Sequence, residues 1–411
     1  MSELKNELLL LKITGEDKPG LTSALTGILA RYDCNILDIG QADIHNTLSL
    51  GILFEVPSNN ESAPVLKDLL FKAYELGLNA SFTPVSNEEY SHWVGMQGKN
   101  RYIVTLLGRK LSAKQISSVT GLIASQGLNI DNITRLTGRI PLDAANNQSR
   151  SCVQLSVRGF LSDKALMQKS FMDLSKEQGI DVAFQEDNIY RRNRRLVCFD
   201  MDSTLIQTEV IDEMAERHGV GEEVRAITES AMRGEIDFSE SFKKRLSLLR
   251  GLEVSVLNEI AENLPVTEGA ARLISTLKKF GFKIAILSGG FTFFGESLKR
   301  KLDIDYVYAN EFEIENDKLT GGYVGEIVDG KRKAELLKLL AQVEKLNLEQ
   351  VIAVGDGAND LPMLNLAGLG IAYHAKPKVK ENAQHAISSV GLDGILYLLG
   401  FNDLMIDHGN K

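Results

Sequence analysis

The chain has 411 residues, of which 44% are hydrophobic and 25% are charged, and its formal net charge is -9. This composition is typical of a globular protein with about two to four domains, and the negative charge argues against nucleic acid or an anionic membrane as the main partner. The three cysteines form no CxxC pair, and no apolar run approaches the ~20 residues of a membrane span, so we expect a cytoplasmic protein in a reducing compartment.

The first predicted domain, residues 1–88, has its strands and helices in the order βαββαβ, as in ferredoxin-like domains. A leucine-rich strand leads to a turn at Pro19-Gly20, and two later β-rich runs flank a turn at His45-Asn46. The helix after the first turn has an apolar stripe, which indicates one buried face. The stripe consists of Leu21, Leu25, Ile28 and Leu29.

A short motif in this domain resembles the ACT domains, which sense small molecules and often bind amino acids between paired copies. Residues 17–21 read DKPGL, and Asn35 follows the first helix. The resemblance implies an amino-acid effector site that includes Asp17, Gly20 and Asn35, and it implies a homodimer. The alternative is that the domain only packs and dimerises.

Residues 98–190 are predicted to form a second domain with the same order of elements. Asn129 stands just after a helix, as Asn35 does in the first copy, so the two domains form an internal repeat with weak sequence identity. Residues 108–111, GRKL, replace the Pro-Gly turn in the second copy. The effector site is therefore predicted in the first copy alone.

The segment RRNRR, residues 191–195, joins this repeat to the rest of the chain. Four arginines in five residues fit either a nucleic-acid patch or a solvated linker. Because the net charge is negative, we predict a solvated linker.

In the third predicted domain, residues 191–411, β-rich runs alternate with helical ones, which predicts an α/β fold with a doubly wound parallel sheet. Ligands of such sheets lie beyond the carboxyl ends of the strands. One strand ends at Asp200 and Asp202, and another leads into Asp356 and Asp360. Neighbouring carboxylates repel unless one is protonated or a cation lies between them, and hard oxygen donors without clustered His or Cys indicate Mg2+.

Two further elements suit a phosphate ligand. The run KIAILSGG ends in Ser288 and two glycines, Gly289 and Gly290, and a hydroxyl with N–H groups at a helix start can hold a phosphate. Lys333 opens another predicted helix. Each element alone has an ordinary explanation, as a glycine turn or a surface lysine, but the combination with the acidic strand ends is much more specific.

The four motifs FDMDST, SGG, a lysine before a helix and GDGAND, in this order, resemble the haloacid dehalogenase-like phosphotransferases. The resemblance covers nearly all of residues 196–411. It implies Asp200 as nucleophile, Asp202 as general acid and base, and Asp356 as their partner in binding Mg2+. It further implies that Asp360 supports the site from close by and that Ser288, Gly289 and Lys333 hold the transferring phosphoryl group. Asn359 would hold the phosphate or orient the substrate.

Residues 207–267 interrupt the alternation with four helical runs, which predicts a cap over the site. Glu209 lies at its start, and Arg245 lies in an apolar stripe of the third helix. Taken singly, Glu209 is an ordinary acid at a helix start and Arg245 is a snorkelling side chain. As a pair, a carboxylate for an ammonium group and a guanidinium for a carboxylate would bind an amino-acid backbone.

The cap sequence closely resembles that of the phosphoserine phosphatase family, on DMDSTLIQTEVIDE, AMRG with DFSESFKKR, and SGGF. The resemblance implies Met232 and Phe238 as the apolar wall of a pocket for O-phospho-L-serine. It leads to a predicted Mg2+-dependent hydrolysis of that substrate to L-serine and phosphate, the last step of serine biosynthesis, with regulation through the ACT-like domains.

Two alternatives to this prediction stay open. One is a phosphatase or phosphotransferase acting on another phosphorylated amino acid, and the other is an amino-acid sensor with an inert phosphatase-like domain. A hairpin predicted at residues 310–326 either borders the site or completes the sheet, and its role is left open.

Overall fold

The computed structural model describes residues 6–96, 100–139, 150–232 and 235–408. The chain divides into two compact units, residues 1–99 and residues 100–411. The second and third predicted domains lie within one unit, so the three-domain division at 1–88, 98–190 and 191–411 stays a proposal.

The first unit contains a four-stranded antiparallel sheet in the order β2-β3-β1-β4. Its elements are β1 (Glu7–Glu16), α1 (Leu21–Arg31), β2 (Asn35–Ile44), β3 (Thr47–Val56), α2 (Ser62–Glu75), β4 (Asn79–Val85) and α3 (Asn87–Gly95). The predicted order is confirmed, and the apolar stripe of α1 is buried against the sheet. Gly20 precedes α1 with φ at 91°, a left-handed conformation that favours glycine.

The second unit begins with the same fold. Its elements are β5 (Arg101–Gly108), α4 (Ala113–Ser125), β6 (Asn129–Arg135), β7 (Ser151–Arg158), α5 (Lys164–Gln178) and β8 (Asp181–Glu186), and the strand order is β6-β7-β5-β8. Position by position this order matches that of the first unit, which confirms the predicted repeat of fold.

The prediction of a solvated linker at residues 191–195 is wrong for two of its arginines. A short helix, α6 (Ile189–Arg192), forms there, and Arg191 and Arg194 are buried. Arg191 donates to Oε1 of Gln154 at 2.9 Å, and Arg194 donates to Oε1 of Gln185 at 3.2 Å. Side-chain amides of the second ferredoxin-like domain therefore replace water around these guanidinium groups.

A seven-stranded sheet forms the rest of the second unit, in the order β12-β11-β10-β9-β13-β14-β15. Its strands are β9 (Leu196–Phe199), β10 (Lys283–Phe291), β11 (Tyr306–Glu315), β12 (Lys318–Val324), β13 (Val351–Gly355), β14 (Leu369–Tyr373) and β15 (His385–Ile387). All neighbouring pairs are parallel except β11 and β12, which form an antiparallel hairpin.

The central strand β9 is buried on both faces, which explains why its sequence is apolar without alternation. Val197 and Phe199 lie in one hydrophobic core, while Leu196 and Cys198 lie in the other. A strand fixed from both sides holds the residue that follows it, Asp200, in a well-defined place.

Helices cover both faces of this sheet, and four of them form the predicted cap. The cap helices are α7 (Val210–His218), α8 (Gly221–Met232), α9 (Phe238–Leu248) and α10 (Val254–Glu262). The others are α11 (Ala270–Lys279), α12 (Thr292–Leu302), α13 (Gly330–Val343), α14 (Leu361–Leu366), α15 (Pro377–Lys380), α16 (Gly394–Leu398) and α17 (Asp403–His408). None of the helices described is long and apolar enough to cross a membrane.

Within the second unit, polar contacts join the ferredoxin-like domain to the edge of the large sheet. The Asp181 carboxylate accepts the backbone N–H groups of Ser388 at 2.8 Å and Ser389 at 2.9 Å. Arg109 donates to both carboxylate oxygens of Glu268, at 2.8 and 2.6 Å. A cavity of about 380 Å3 lies along this seam, between α5 and residues 377–389.

Candidate active site

Three neighbouring strands bring the predicted site residues to one edge of the sheet. In the order β10-β9-β13, Ser288 lies near the end of β10, and Asp200 and Asp356 directly follow β9 and β13. The pairing is parallel, so all three carboxyl ends meet at the same edge. This edge, and not the cavity at the seam, is the candidate active site, because the carboxylates that follow β9 and β13 lie here.

A buried lysine organises the acidic residues. Lys333 on α13 is fully buried, and its Nζ lies 2.9 Å from Oδ1 of Asp200 and 2.7 Å from Oδ1 of Asp360. Burial alone would lower the pKa of Lys333, but the charges of Asp200 and Asp360 outweigh it and raise this pKa. The lysine is therefore a fixed cation, not the surface side chain that its position at a helix start would suggest.

Asp200, Asp356 and Asp360 form a cluster in which one oxygen of each lies within 4.8 Å of the others. Burial and the charges of Asp200 and Glu209 raise the pKa of Asp356 to about 7, although Thr204 donates to its Oδ1 at 3.2 Å. One lysine does not neutralise the negative charge of three carboxylates. Their hard oxygen donors therefore suit a divalent cation such as Mg2+.

Asp202 lies beside this cluster, but its carboxylate is not one of the three clustered groups. Its Oδ1 accepts the N–H of Val210 at 3.0 Å, and a Cβ on Gly290 would overlap its Oδ2. Burial and the charges of Glu209 and Asp200 raise the pKa of Asp202 well above its usual range. The predicted role of Asp202 as a metal ligand stays a prediction, whereas the raised pKa matches what an acid catalyst needs.

The loop of Ser288, Gly289 and Gly290 lies against the cap, with Ser288 and Gly290 buried and Gly289 half-buried. The Ser288 hydroxyl accepts the N–H of Gly290 at 2.9 Å, and a Cβ on Gly289 would lie 2.8 Å from Cζ of Phe238. A side chain at Gly289 would therefore displace the Phe238 ring where the cap helix α9 approaches the loop. On the other side, Gly357 leaves room for the Asn359 side chain, since a Cβ there would overlap its Oδ1.

The cap contributes charges of both signs. Glu209 accepts the Ser203 hydroxyl at 2.8 Å, and Arg245 donates to the Thr228 hydroxyl at 3.5 Å. Nε of Arg245 is buried with no hydrogen-bond partner among the described residues, and the same holds for Oδ1 of Asp212. A half-buried guanidinium with an unsatisfied donor fits a ligand anion better than simple snorkelling.

Two predicted cap residues have different outcomes. The Phe238 ring stacks with Phe242 at 6.4 Å between centroids and touches the glycine loop, so it borders the site. Met232 ends α8, but its side chain lies outside the described part of the structure. Its place in a pocket wall stays a prediction.

Sequence reasoning missed Thr204 and Asp212. Thr204 is fully buried and binds Asp356, and its signal is its position in the FDMDST motif. Asp212 lies in the first turn of α7, where an acid is favourable for any helix, so the sequence contains no specific signal for it.

The hairpin at residues 310–326 contacts the cap. Leu319 accepts the N–H of Gly251 at 2.8 Å and donates to the Leu252 carbonyl at 2.9 Å, and Asp317 accepts the N–H of Val254 at 3.0 Å. The hairpin both completes the sheet and fixes the segment between α9 and α10.

The three predicted effector residues do not meet within one copy of the ferredoxin-like fold. Asp17 follows the end of β1 and donates its N–H to Asn46, whereas Asn35 at the start of β2 pairs with Glu55. Because β1 and β2 both pair antiparallel with β3, they run the same way, and these positions lie at opposite ends of the sheet. A site containing Asp17, Gly20 and Asn35 therefore needs two copies.

Comparisons with known proteins place this geometry in context. Family models for ACT domains match residues 7–83 and 101–185, and the model of the haloacid dehalogenase-like hydrolases matches residues 197–365. Phosphoserine phosphatases of Streptomyces coelicolor and Mycobacterium tuberculosis are each 38% identical to this chain, over 95% of it and 92% of the relative. The unliganded crystal structure of a probable phosphoserine phosphatase from Vibrio cholerae aligns with a TM-score of 0.57 at 35% identity, covering 75% of this chain and 88% of that one.

Proposed function

The chain belongs to the phosphoserine phosphatases that have two ACT domains and a haloacid dehalogenase-like domain, and we propose that its strand-end carboxylates hydrolyse O-phospho-L-serine to L-serine and phosphate through a phosphoaspartyl intermediate. The observation that supports this mechanism is the contrast between two neighbouring carboxyl groups. Asp200 pairs with Lys333, whereas burial and neighbouring anions raise the pKa of Asp202. This contrast supports the proposal that Asp200 is the nucleophile and Asp202 the acid.

In the first step, a carboxylate oxygen of Asp200 attacks phosphorus. Lys333 and the N–H of Met201 both bind Oδ1, so we assign the attack to Oδ2, whose lone pairs neither contact uses. An Oδ–P bond forms while the bond from phosphorus to the serine oxygen breaks, and protonated Asp202 donates its proton to that oxygen. L-Serine leaves, and Asp202 is left as a carboxylate.

In the second step, Asp202 accepts a proton from a water molecule that attacks the phosphorus of the phosphoaspartate. The bond between phosphorus and Asp200 breaks, which restores the Asp200 carboxylate and releases inorganic phosphate. Lys333, buried and ion-paired, offsets negative charge on the transferring group in both steps. Ser288, Gly289 and Asn359 are the residues we assign to holding that group.

The acidic cluster fits Mg2+, and we assign its binding to Asp200, Asp356 and Asp360, whose carboxylate oxygens lie within 4.8 Å of one another. When bound, Mg2+ would neutralise phosphate charge that otherwise repels the Asp200 nucleophile. We propose Mg2+ for this chain on the chemistry of these donors.

The cap supports an amino-acid phosphate as substrate. We assign Glu209 to the substrate ammonium group and Arg245 to its carboxylate, since the two lie at the cap side of the site with opposite charges. We further propose that paired ACT domains of a homodimer bind an amino-acid effector such as serine. Location in the cytoplasm stays a prediction.

A substrate panel tests the proposed function. Phosphate release from phosphoserine, phosphothreonine, phosphohomoserine, phosphoethanolamine and a sugar phosphate should be fastest for phosphoserine. Faster release from the sugar phosphate would contradict the assignment of Glu209 and Arg245, and faster release from another phosphoamino acid would favour that alternative.

A single substitution tests the mechanism against an inert sensor domain. Asp200→Asn removes the nucleophile with little change in shape, so turnover should be lost while the thermal unfolding midpoint stays close to that of the wild type. An active Asp200→Asn variant would exclude the covalent route, and a wild-type chain that releases no phosphate from any member of the panel would favour the sensor.

A further inference from the structure

The loop that carries Ser288 is a bulge in an otherwise regular parallel pair of strands. Leu287 of β10 pairs with Tyr308 of β11, and the next paired residues are Phe291 and Asn310. Four residues of β10 thus span the same distance as two residues of β11. Ladder hydrogen bonds cannot continue through such a bulge, so the carbonyls of Gly289 and Gly290 need other partners.

The side chain of Asn310 supplies these partners. Its Nδ2 donates to the Gly289 carbonyl at 2.8 Å and to the Gly290 carbonyl at 3.2 Å, and its Oδ1 accepts the N–H of Val328 at 2.9 Å. The neighbours fix the orientation of the amide, because two carbonyls require the NH2 group and one N–H requires the oxygen.

Asn310 is only 2% exposed, so water cannot take over these three hydrogen bonds. Asparagine is also the residue that fits chemically: aspartate of the same shape lacks the two donors, and alanine lacks all three bonds. In sequence, the single sign of this role is a polar residue at the end of the apolar run YVYA.

The hydrogen bond from the N–H of Val328 links Asn310 to the helix that carries Lys333. Val328 directly precedes Asp329, which caps α13 by accepting the N–H of Arg332 at 2.8 Å, and α13 carries Lys333. Thr292 is the first residue of α12, the helix after the bulge. Its hydroxyl donates to the backbone carbonyl of Asn310 at 3.3 Å. One buried amide therefore connects the Ser288 loop with the approach to the helix of Lys333.

We infer that Asn310 is a positioning residue for phosphoryl transfer: it holds the bulge of Ser288 and Gly289 at a fixed distance from Lys333. The inference rests on the proposed function, in which these groups hold the transferring phosphoryl group. Asn310 itself touches the loop backbone and not the substrate. Its loss should therefore affect the transition state, whose fit depends on sub-ångström geometry, more than the binding of the substrate.

The test compares Asn310→Asp and Asn310→Ala with the wild type in Mg2+ buffer. We expect kcat for phosphoserine to fall by ~10- to 100-fold, the loss typical of small misplacements at an active site, with KM changed by less than about threefold. Inhibition by orthovanadate, which adopts the five-coordinate geometry of the transition state, should weaken more than inhibition by inorganic phosphate. A merely structural defect would not separate these two inhibitors.

Thr292→Val is the matched control, because it removes a hydrogen bond to the backbone of Asn310 and leaves the amide in place. It should keep kcat within about twofold of the wild type. Asn310→Ser, which keeps one donor, replaces Asn310→Ala if the alanine variant does not fold. Folded variants with wild-type kcat and an unchanged ratio of vanadate to phosphate inhibition would overturn the inference.

The outcome is separable from that of the proposed function. If the wild-type chain failed to hydrolyse phosphoserine, the proposed function would fall at that point. The affinities of wild type and variants for vanadate and phosphate, measured by calorimetry, would still decide whether Asn310 positions the loop.

Discussion

Asp202 occupies an environment that opposes ionisation. The carboxyl group is buried beside Asp200 and Glu209, and the cation Lys333 pairs instead with Asp200 and Asp360. The backbone N–H of Val210 favours the charged form of Asp202, but burial outweighs it. This environment favours the protonated form of Asp202, as its proposed role of general acid requires.

Asp202→Asn should show this role through the leaving group. Phosphoserine has a poor alkoxide leaving group that needs a proton, so its kcat should fall by ~100-fold or more. 4-Nitrophenyl phosphate has a good leaving group, and its phosphorylation of Asp200 should be far less affected when measured as a burst of nitrophenolate. Equal losses in the burst rates for both substrates would contradict the assignment of Asp202 as acid.

Arg245 is predicted to bind the carboxylate of the substrate. Arg245→Lys keeps the charge but loses the planar pair of donors, so kcat/KM for phosphoserine should fall by ~10- to 100-fold. Phosphoethanolamine lacks the carboxylate, and its kcat/KM should change by less than about threefold. Lys244→Ala, an exposed lysine on the same helix, is the control; parallel losses for both substrates would instead indicate damage to the cap.

At the scale of elements, the cap is held by the hairpin of β11 and β12 as well as by its own connections. Gly321 of β12 packs against α9, because a Cβ there would lie 3.2 Å from both Cα and O of Ser247. Gly325, which follows the strand, has nearly the same φ, +81° against +80°, but a Cβ there would meet no atom within 4 Å. The two glycines share a backbone constraint and differ in packing.

Gly321→Ala should therefore be more harmful than Gly325→Ala. Both variants should lose about 1 kcal/mol from the left-handed backbone, and Gly321→Ala should lose a further ~1–2 kcal/mol from overpacking against α9. Urea unfolding measures both losses, and KM for phosphoserine should rise in Gly321→Ala alone because the cap is displaced. Similar stability and KM in the two variants would show that the hairpin does not position the cap.

The sequence was sufficient where a local pattern determines the structure. Alternating elements and apolar strands predicted the sheet, and the acids after β9 and β13 follow from the parallel order. Burial of Arg191 and Arg194 depends on amide partners that lie up to 37 residues away in the chain, so their charge alone suggested a linker. The role of Asn310 depends on a bulge in the neighbouring strand, and a polar residue after the apolar run YVYA does not by itself reveal that partner.

At the scale of the molecule, the second ACT domain and the phosphatase domain share one compact unit. Asp181 binds two consecutive N–H groups after β15, Gln185 donates to the Leu398 carbonyl at 3.0 Å, and Arg109 pairs with Glu268. These contacts join the domain to the residues after β15, to α16 and to the segment before α11. The second ACT domain therefore belongs to the structural frame of the catalytic sheet, and residues 108–111 of this domain read GRKL in place of a Pro-Gly turn.

His385 makes this seam sensitive to acid. It lies on β15 and is 7% exposed, and burial, with the charges of Arg194 and Lys164, lowers its pKa to about 3. An unfolded histidine has a pKa of about 6.5, so between these values the unfolded chain binds a proton that the folded chain does not. Stability therefore falls as the pH falls through this window, by about 2 kcal/mol between pH 7 and pH 5.

His385→Gln should remove this part of the pH dependence. The free energy of unfolding in urea is measured at pH 7 and at pH 5. We expect its fall between these two values to be smaller in the variant than in the wild type by about 2 kcal/mol, whatever the substitution costs at pH 7. The exposed His45→Gln, in the other unit, is the control and should keep the wild-type drop. An equal drop in all three proteins would mean that His385 is protonated in the folded state, and the acid sensitivity of the seam would then have to come from its carboxylates.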